Sequence, residues 1–142
     1  MKDNMKNLVS LLILSLSLTS AAFGQNAHVL TVAELDKALS DPSKVLVIDV
    51  RRPDEVSSIG GFPVYLSIQA GELEHSLDWI PKGRSIITVS NHAARASKAA
   101  DLLASKGFKV IGAVGSQTYE QAGGKRVTHI AVPPPPAAAA AH

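Results

Sequence analysis

The stretch Ile86-Ile87-Thr88-Val89-Ser90-Asn91-His92-Ala93-Ala94-Arg95-Ala96-Ser97-Lys98-Ala99-Ala100 decides how the rest of the chain is read. Its first four residues are apolar or β-branched, and the run is short enough for a buried parallel strand. Residues Arg95 to Lys106 are rich in Ala, Leu and Lys and stop at Gly107, which predicts a helix with glycine at its C-terminal end. Six residues, Ser90 to Arg95, remain to join the two. A connection that enters a helix so tightly turns several backbone N–H groups inward. With the positive end of the helix dipole behind them, these donors form a concave site for an anion.

Upstream, Lys44-Val45-Leu46-Val47-Ile48-Asp49-Val50 is apolar throughout rather than alternating, as a strand covered on both faces must be. Before it, Thr31 and Glu34 fit a capping box and Leu30 and Leu35 a hydrophobic staple, predicting a helix that runs to about Leu39 and breaks at Asp41-Pro42-Ser43. Pro53 suits the first turn of a short helix that includes Glu55. Leu73, Leu77 and Ile80 fall at i, i+4 and i+7, so Glu72 to Ile80 reads as an amphipathic helix ended by Pro81-Lys82-Gly83, with Trp79 expected to pack. Downstream, Phe108 to Val114 is another buried strand, Gly115 to Gly124 a turn and helix bearing Tyr119, and Val127 to Val132 a candidate edge strand. Strands alternating with helices of this length call for an α/β fold, a mostly parallel central sheet with helices on both faces.

Three of these segments carry a resemblance. The strand ending at Ser90, with Arg95 opening the helix, is similar to the active-site loop of rhodanese-like sulfurtransferases, in which a Cys ends the strand, four residues follow and an Arg begins the helix. Asp49-Val50-Arg51, the short helix with Glu55 and then Gly60-Gly61-Phe62-Pro63-Val64-Tyr65 resemble that family's Asp-Val-Arg run, its Glu-bearing helix and its Gly-His-Ile-Pro-Gly-Ala segment. The family's His is replaced by Gly61, and Val64 and Tyr65 stand for its Gly-Ala. The closing turn, aromatic helix and Gly-rich stop are the third match. Together they span roughly residues 29 to 130 and imply the rhodanese topology.

Ahead of this domain, Lys2 and Lys6 precede an apolar run from Leu8 to Leu18 broken only by Ser, and small residues at Ala22 and Gly24 suit a cleavage site before Gln25. The run is about half the roughly 20 residues a spanning helix requires, so residues 1–24 are expected to be a signal peptide and the mature protein periplasmic or secreted, with no membrane association after cleavage. Residues 25–132 are expected to form a single domain. Residues 133–142, Pro then Ala, are expected to be a disordered tail. The formal charge of +2 falls by one when Lys2, Asp3 and Lys6 are removed, and so small a charge gives no case for nucleic acid as a partner. No cysteine is present, so stability rests on the packed core rather than on disulfides.

The absent cysteine also governs the chemistry. The resemblance implies a loop Cys that takes sulfur from a donor such as thiosulfate and holds it as a persulfide, and here Ser90 occupies that position. A hydroxyl keeps its proton far more tightly than a thiol and makes a poor sulfur carrier. Activation of Ser90 by His92, two positions along the same loop, is disfavoured because the base lacks an orienting partner. No catalytic residue is therefore expected. Ser90, Asn91, His92, Ala93, Ala94 and Arg95 are read as an anion-binding loop supported by Asp49, Arg51 and Glu55, with Arg95 either tying the loop to the Asp49 and Glu55 region or lending charge beneath an anion. His28, His75, His129 and His142 are scattered and suggest no metal site; no cofactor is expected. The expected partners are a small oxyanion (sulfate, thiosulfate or phosphate) or another protein. The alternative is an active thiosulfate-type sulfurtransferase, and a third reading is a remnant fold whose site has no role.

Overall fold

A computed structural model of the protein describes residues 27–129. Four parallel strands make one sheet: β1 (Val45–Asp49), β2 (Leu66–Ser67), β3 (Ser85–Ser90) and β4 (Val110–Gly115), in the order β2-β1-β3-β4. Around them lie α1 (Val32–Leu39), α2 (Pro53–Ile59), a 3₁₀ helix (Glu74–Trp79), α3 (Ala93–Ser105) and α4 (Ser116–Gln121). The expected α/β architecture with a parallel sheet is the one observed.

Alternation along the strands sends side chains to two separate cores. Ile48 and Ile86 face one side, where they meet Ala99 and Leu103 of α3 together with Leu73, Ile80 and Phe108. Val45, Val47, Ile87, Val89 and Val114 face the other and meet Leu35 of α1, Tyr119 of α4 and Phe62. The buried positions of α3, namely Ala96, Ala99, Ala100 and Leu103, follow the i, i+3, i+4, i+7 spacing. Because three of these are alanine, the helix lies close against β4, where Ala96 and Ala100 pack on Ala113. The start of α1 is as the sequence predicts: Thr31 caps Glu34 N–H, the Glu34 carboxylate returns to Thr31 N–H at 2.8 Å, and Leu30 packs into the cluster around Leu35.

Four readings differ from the structure. Helix α3 begins at Ala93 rather than Arg95, so Asn91 and His92 alone separate it from β3. The amphipathic helix expected over Glu72 to Ile80 is a 3₁₀ helix; the apolar stripe holds, with Leu73 and Ile80 buried and Leu77 packed beside them. Ile80, immediately before Pro81, is extended, as a residue preceding proline tends to be, and this ends the segment at Trp79. Trp79 does not pack: it is 82% exposed, because its neighbour Ile80 takes the inward position. Finally, the described part of Val127 to Val132 makes one isolated antiparallel bridge, Thr128 with Gly61, in place of a strand. Gly60, at φ +93°, turns the segment that leads into Gly61 out of extended geometry, and Thr128 O lies so close that a Cβ on Gly60 would meet it at 2.8 Å. The signal-peptide and tail readings fall on residues outside those described. Among the described residues no helix is long and apolar enough to cross a membrane.

Candidate functional site

The chain leaves β1 to one side to form β2, then crosses to the other side for β3 and β4, so β1 and β3 flank the point where the strand order reverses. Loops at the carboxyl ends of strands at such a point diverge and leave a crevice between them, the usual place for a ligand in a parallel sheet. Val50 to Arg52 follow β1 there, and Asn91 and His92 follow β3. All of the residues expected to support or form the loop are gathered at this end of the sheet.

Ser90 is the pivot. Ile86, Thr88 and Ser90 alternate onto the α3 side of β3, and the two hydroxyls bond the first turn of that helix. Thr88 Oγ1 donates to Ala96 C=O at 2.7 Å. Ser90 Oγ accepts from Ala96 N–H at 2.9 Å and donates to the main-chain carbonyl of His92. Ala96 N–H and His92 C=O are the pair that an ideal α-helix joins directly, so the hydroxyl bridges the helix's opening hydrogen bond. This is the physical reason that α3 starts two residues earlier than its composition suggests. Ser90 is 0% exposed, and its partner in His92 is a carbonyl rather than the ring, which lies on an exposed residue. The geometry therefore contains no Ser90–imidazole pair.

Beneath the loop lies a buried ion pair. Arg51 and Asp49 are both essentially inaccessible, and every guanidinium N–H is used. Nε donates to Asp49 Oδ1 at 2.9 Å; Nη2 donates to Asp49 Oδ2 at 2.7 Å and to Gly60 C=O at 2.9 Å; Nη1 donates to Asn91 Oδ1 and Ser116 Oγ, each at 3.1 Å. The planar fork suits this set of acceptors in a way an ammonium would not. Asn91 then passes the connection outward, its Nδ2 donating to Glu55 Oε1 at 2.7 Å.

Glu55 receives three further hydrogen bonds. Arg95 grips it with both terminal nitrogens, at 2.6 and 2.9 Å, and Arg52 N–H donates at 3.0 Å. The bonds from Arg95 foremost, with help from the Arg52 N–H, hold the carboxyl at about 2, against an ordinary 4.5. Arg95 is correspondingly raised by Glu55. Of the two readings of Arg95, the structure displays the tie to Glu55; Asp49 is taken by Arg51. The Arg95 charge is thus answered, and the N–H groups of Ala93, Ala94 and Arg95, which open α3, find no acceptor among the described residues.

Three contributors were not anticipated from the sequence. Ser116 lies 65 residues from Arg51, and nothing local marks it as a partner. Thr88 was legible in hindsight as a second hydroxyl two positions before Ser90, hence on the same face. Gly115 ends β4 directly behind the loop; a Cβ there would lie 2.8 Å from Ala93 N and His92 Cα, so any side chain would displace the turn. Among the described residues no group of three or more His, Asp or Glu is placed to hold a metal ion.

No protein-family model matches the chain, and no curated protein matches it. Solved structures do. A rhodanese-related protein from Thermoplasma volcanium aligns over 71% of this chain and 97% of its own, with a TM-score of 0.61 and 21% identity. A rhodanese-like domain protein from Staphylococcus aureus aligns over 72% of this chain and 98% of its own, with a TM-score of 0.59 and 20% identity. A thiosulfate sulfurtransferase from Pseudomonas aeruginosa aligns over 72% of this chain, with a TM-score of 0.59 and 22% identity, but the match spans only 20% of that larger protein. The fold is therefore rhodanese-like, and in a chain without cysteine Ser90 stands where the resemblance places the nucleophilic Cys.

Proposed function

We propose that this protein is an exported rhodanese-like module that performs no sulfur-transfer cycle, and that its loop serves as a cradle for a small oxyanion or as a surface for a protein partner. The state of Ser90 carries the proposal. Its hydroxyl is buried, keeps its proton in a bond to His92 C=O and spends a lone pair on Ala96 N–H. A sulfur acceptor must instead present a free, soft, anionic nucleophile, which a low-pKa thiolate supplies and an engaged alcohol does not. The open N–H groups of Ala93, Ala94 and Arg95 support binding of sulfate, thiosulfate or phosphate, with the helix dipole adding its attraction.

The test is thiocyanate formation from thiosulfate and cyanide by the purified protein beside its Ser90→Cys variant, with sulfate, thiosulfate and phosphate titrated against the loop amides by NMR. The wild type is expected to be silent and to shift the amides of Ala93, Ala94 and Arg95 on adding anion. Activity in Ser90→Cys means that the cradle is intact and lacks only its sulfur. Turnover by the wild type would refute the proposal. Amides indifferent to all three anions would leave the partner surface as the surviving form of the reading.

A further inference from the structure

At the other end of β1, about 16 Å along the strand from the loop by the usual rise per residue, lies a cleft of about 540 Å³ that plays no part in the site above. It is lined by Val45, Leu46 and Val47 in succession, with Phe62, Val64 and Tyr65 among its other walls. Successive strand residues point to opposite faces, so a cleft that touches all three must lie against the strand's edge, not its face. The sheet explains why an edge is available. Strand β2 pairs only with Ile48 and Asp49, leaving Val45 to Val47 with no neighbour on that side.

The unpaired groups follow from the ladder. In a parallel pair, a residue directs both its N–H and C=O to one side and the next residue directs both to the other. Lys44 C=O and Val50 N–H bond toward β3, whereas Asp49 C=O accepts from Ile68 on the β2 side. Odd-numbered residues of β1 therefore face the cleft, and no bond to the connecting segments takes up Val45 N–H, Val45 C=O or Val47 N–H. Val45 and Val47 are themselves largely buried, and their unpaired main-chain groups border the cleft, the arrangement that strand addition uses.

The rim indicates the partner's chemistry. The charged residues lining the cleft are Arg84, Lys125 and Arg126, with no carboxylate among them. Arg126 pairs with Asp36, whereas Arg84 and Lys125 are exposed and have no ion-pair partner among the described residues. Val64, 74% exposed, and Tyr65 add an apolar lip. The geometry points to β1's open edge as a docking site for an extended peptide segment of a partner protein, with alternating apolar residues toward the cleft and acidic residues toward Arg84 and Lys125. The segment pairs with Val45 and Val47 through its main chain and takes its specificity from charge. This surface is separate from the Ser90 loop and goes beyond the function proposed for it.

The experiment uses the purified protein and a blocked peptide, acetyl-DVTVTVD-amide, beside the same peptide with Lys for Asp and a third N-methylated at alternate residues. Binding is read by anisotropy and by hydrogen exchange at the Val45 and Val47 amides. The acidic peptide is expected to bind and to slow exchange at those two amides by about tenfold or more, while each control binds about tenfold more weakly. The double variant R84E/K125E is expected to invert the preference toward the Lys peptide. Ser90→Cys should bind the acidic peptide as wild type does, which keeps this inference distinguishable from the loop reading. The proposal is overturned if no peptide binds, if N-methylation has no effect, or if the Val45 and Val47 amides are already protected in the free protein, which would mean that the chain's own tail or a second copy occupies the edge. It is equally overturned if dodecanoate occupies the cleft and the acidic peptide does not.

Discussion

Arg51 and Asp49 illustrate how much a single buried pair is asked to hold. The guanidinium joins the end of β1 to Gly60, Asn91 and Ser116, so three connections converge on one side chain. Its removal leaves the Asp49 carboxylate buried with only the Arg51 main-chain N–H, at 3.1 Å, to answer it. Arg51→Ala is therefore expected to lower unfolding free energy by about 3–5 kcal/mol, the usual cost of stranding one member of a buried pair. Urea denaturation checks this, and the double variant Arg51→Met with Asp49→Leu is expected to recover much of the loss because no charge is then left unpaired. A double variant no better than Arg51→Ala would show that the bonds to Gly60, Asn91 and Ser116, rather than the charge pair, carry the stability. The sequence displayed Asp49 and Arg51 two apart on one strand end; that both point inward and bond each other is decided by elements 40 and 65 residues away that close over them.

At the scale of elements, α2 and α3 are joined by the Glu55–Arg95 bridge, with Asn91 between them. The Glu55 carboxyl is held at about 2, below the ordinary 4.5, so the folded state favours its ionised form. The stabilisation is complete above pH 4.5 and is lost as pH falls through 2, where the folded state takes up the proton. Glu55→Gln should remove this part of the pH dependence. The expected difference is about 1 kcal/mol near neutral pH, kept small by solvent at the half-exposed Arg95, and it should vanish toward pH 2. Glu34 is also held at about 2 and titrates in the same window, so the informative quantity is the difference between variant and wild type in urea midpoint against pH. A constant difference from pH 2 to pH 7 would mean that the bridge is not what α2 and α3 share. The same pair of elements shows why helix boundaries were harder to read than helices. Composition alone begins α3 at Arg95, whereas a hydroxyl from the preceding strand caps it from outside and lets Ala93 and Ala94 join.

For the whole molecule, one sheet with a core on each face leaves the loops at the carboxyl ends of β1 and β3 and an open edge on β1 as its two distinctive surfaces. The proposed export is tested by expression in a bacterial host with a periplasm and intact-mass measurement: loss of residues 1–24, with Gln25 as the new N-terminus, is expected in the periplasmic or secreted fraction. A full-length chain retained in the cytoplasm would remove that part of the proposal. The sequence alone determined strands β1, β3 and β4, the parallel α/β class and the missing thiol, because hydrophobic runs, capping residues and residue identity are local properties. Only the tertiary structure decided that Ser90 spends its hydroxyl on the helix it precedes, that Arg95 answers Glu55, that Trp79 faces solvent and that β2 is too short to cover β1. Each of these depends on which groups lie opposite one another after the chain has closed, and no local pattern records the partner that a distant segment supplies.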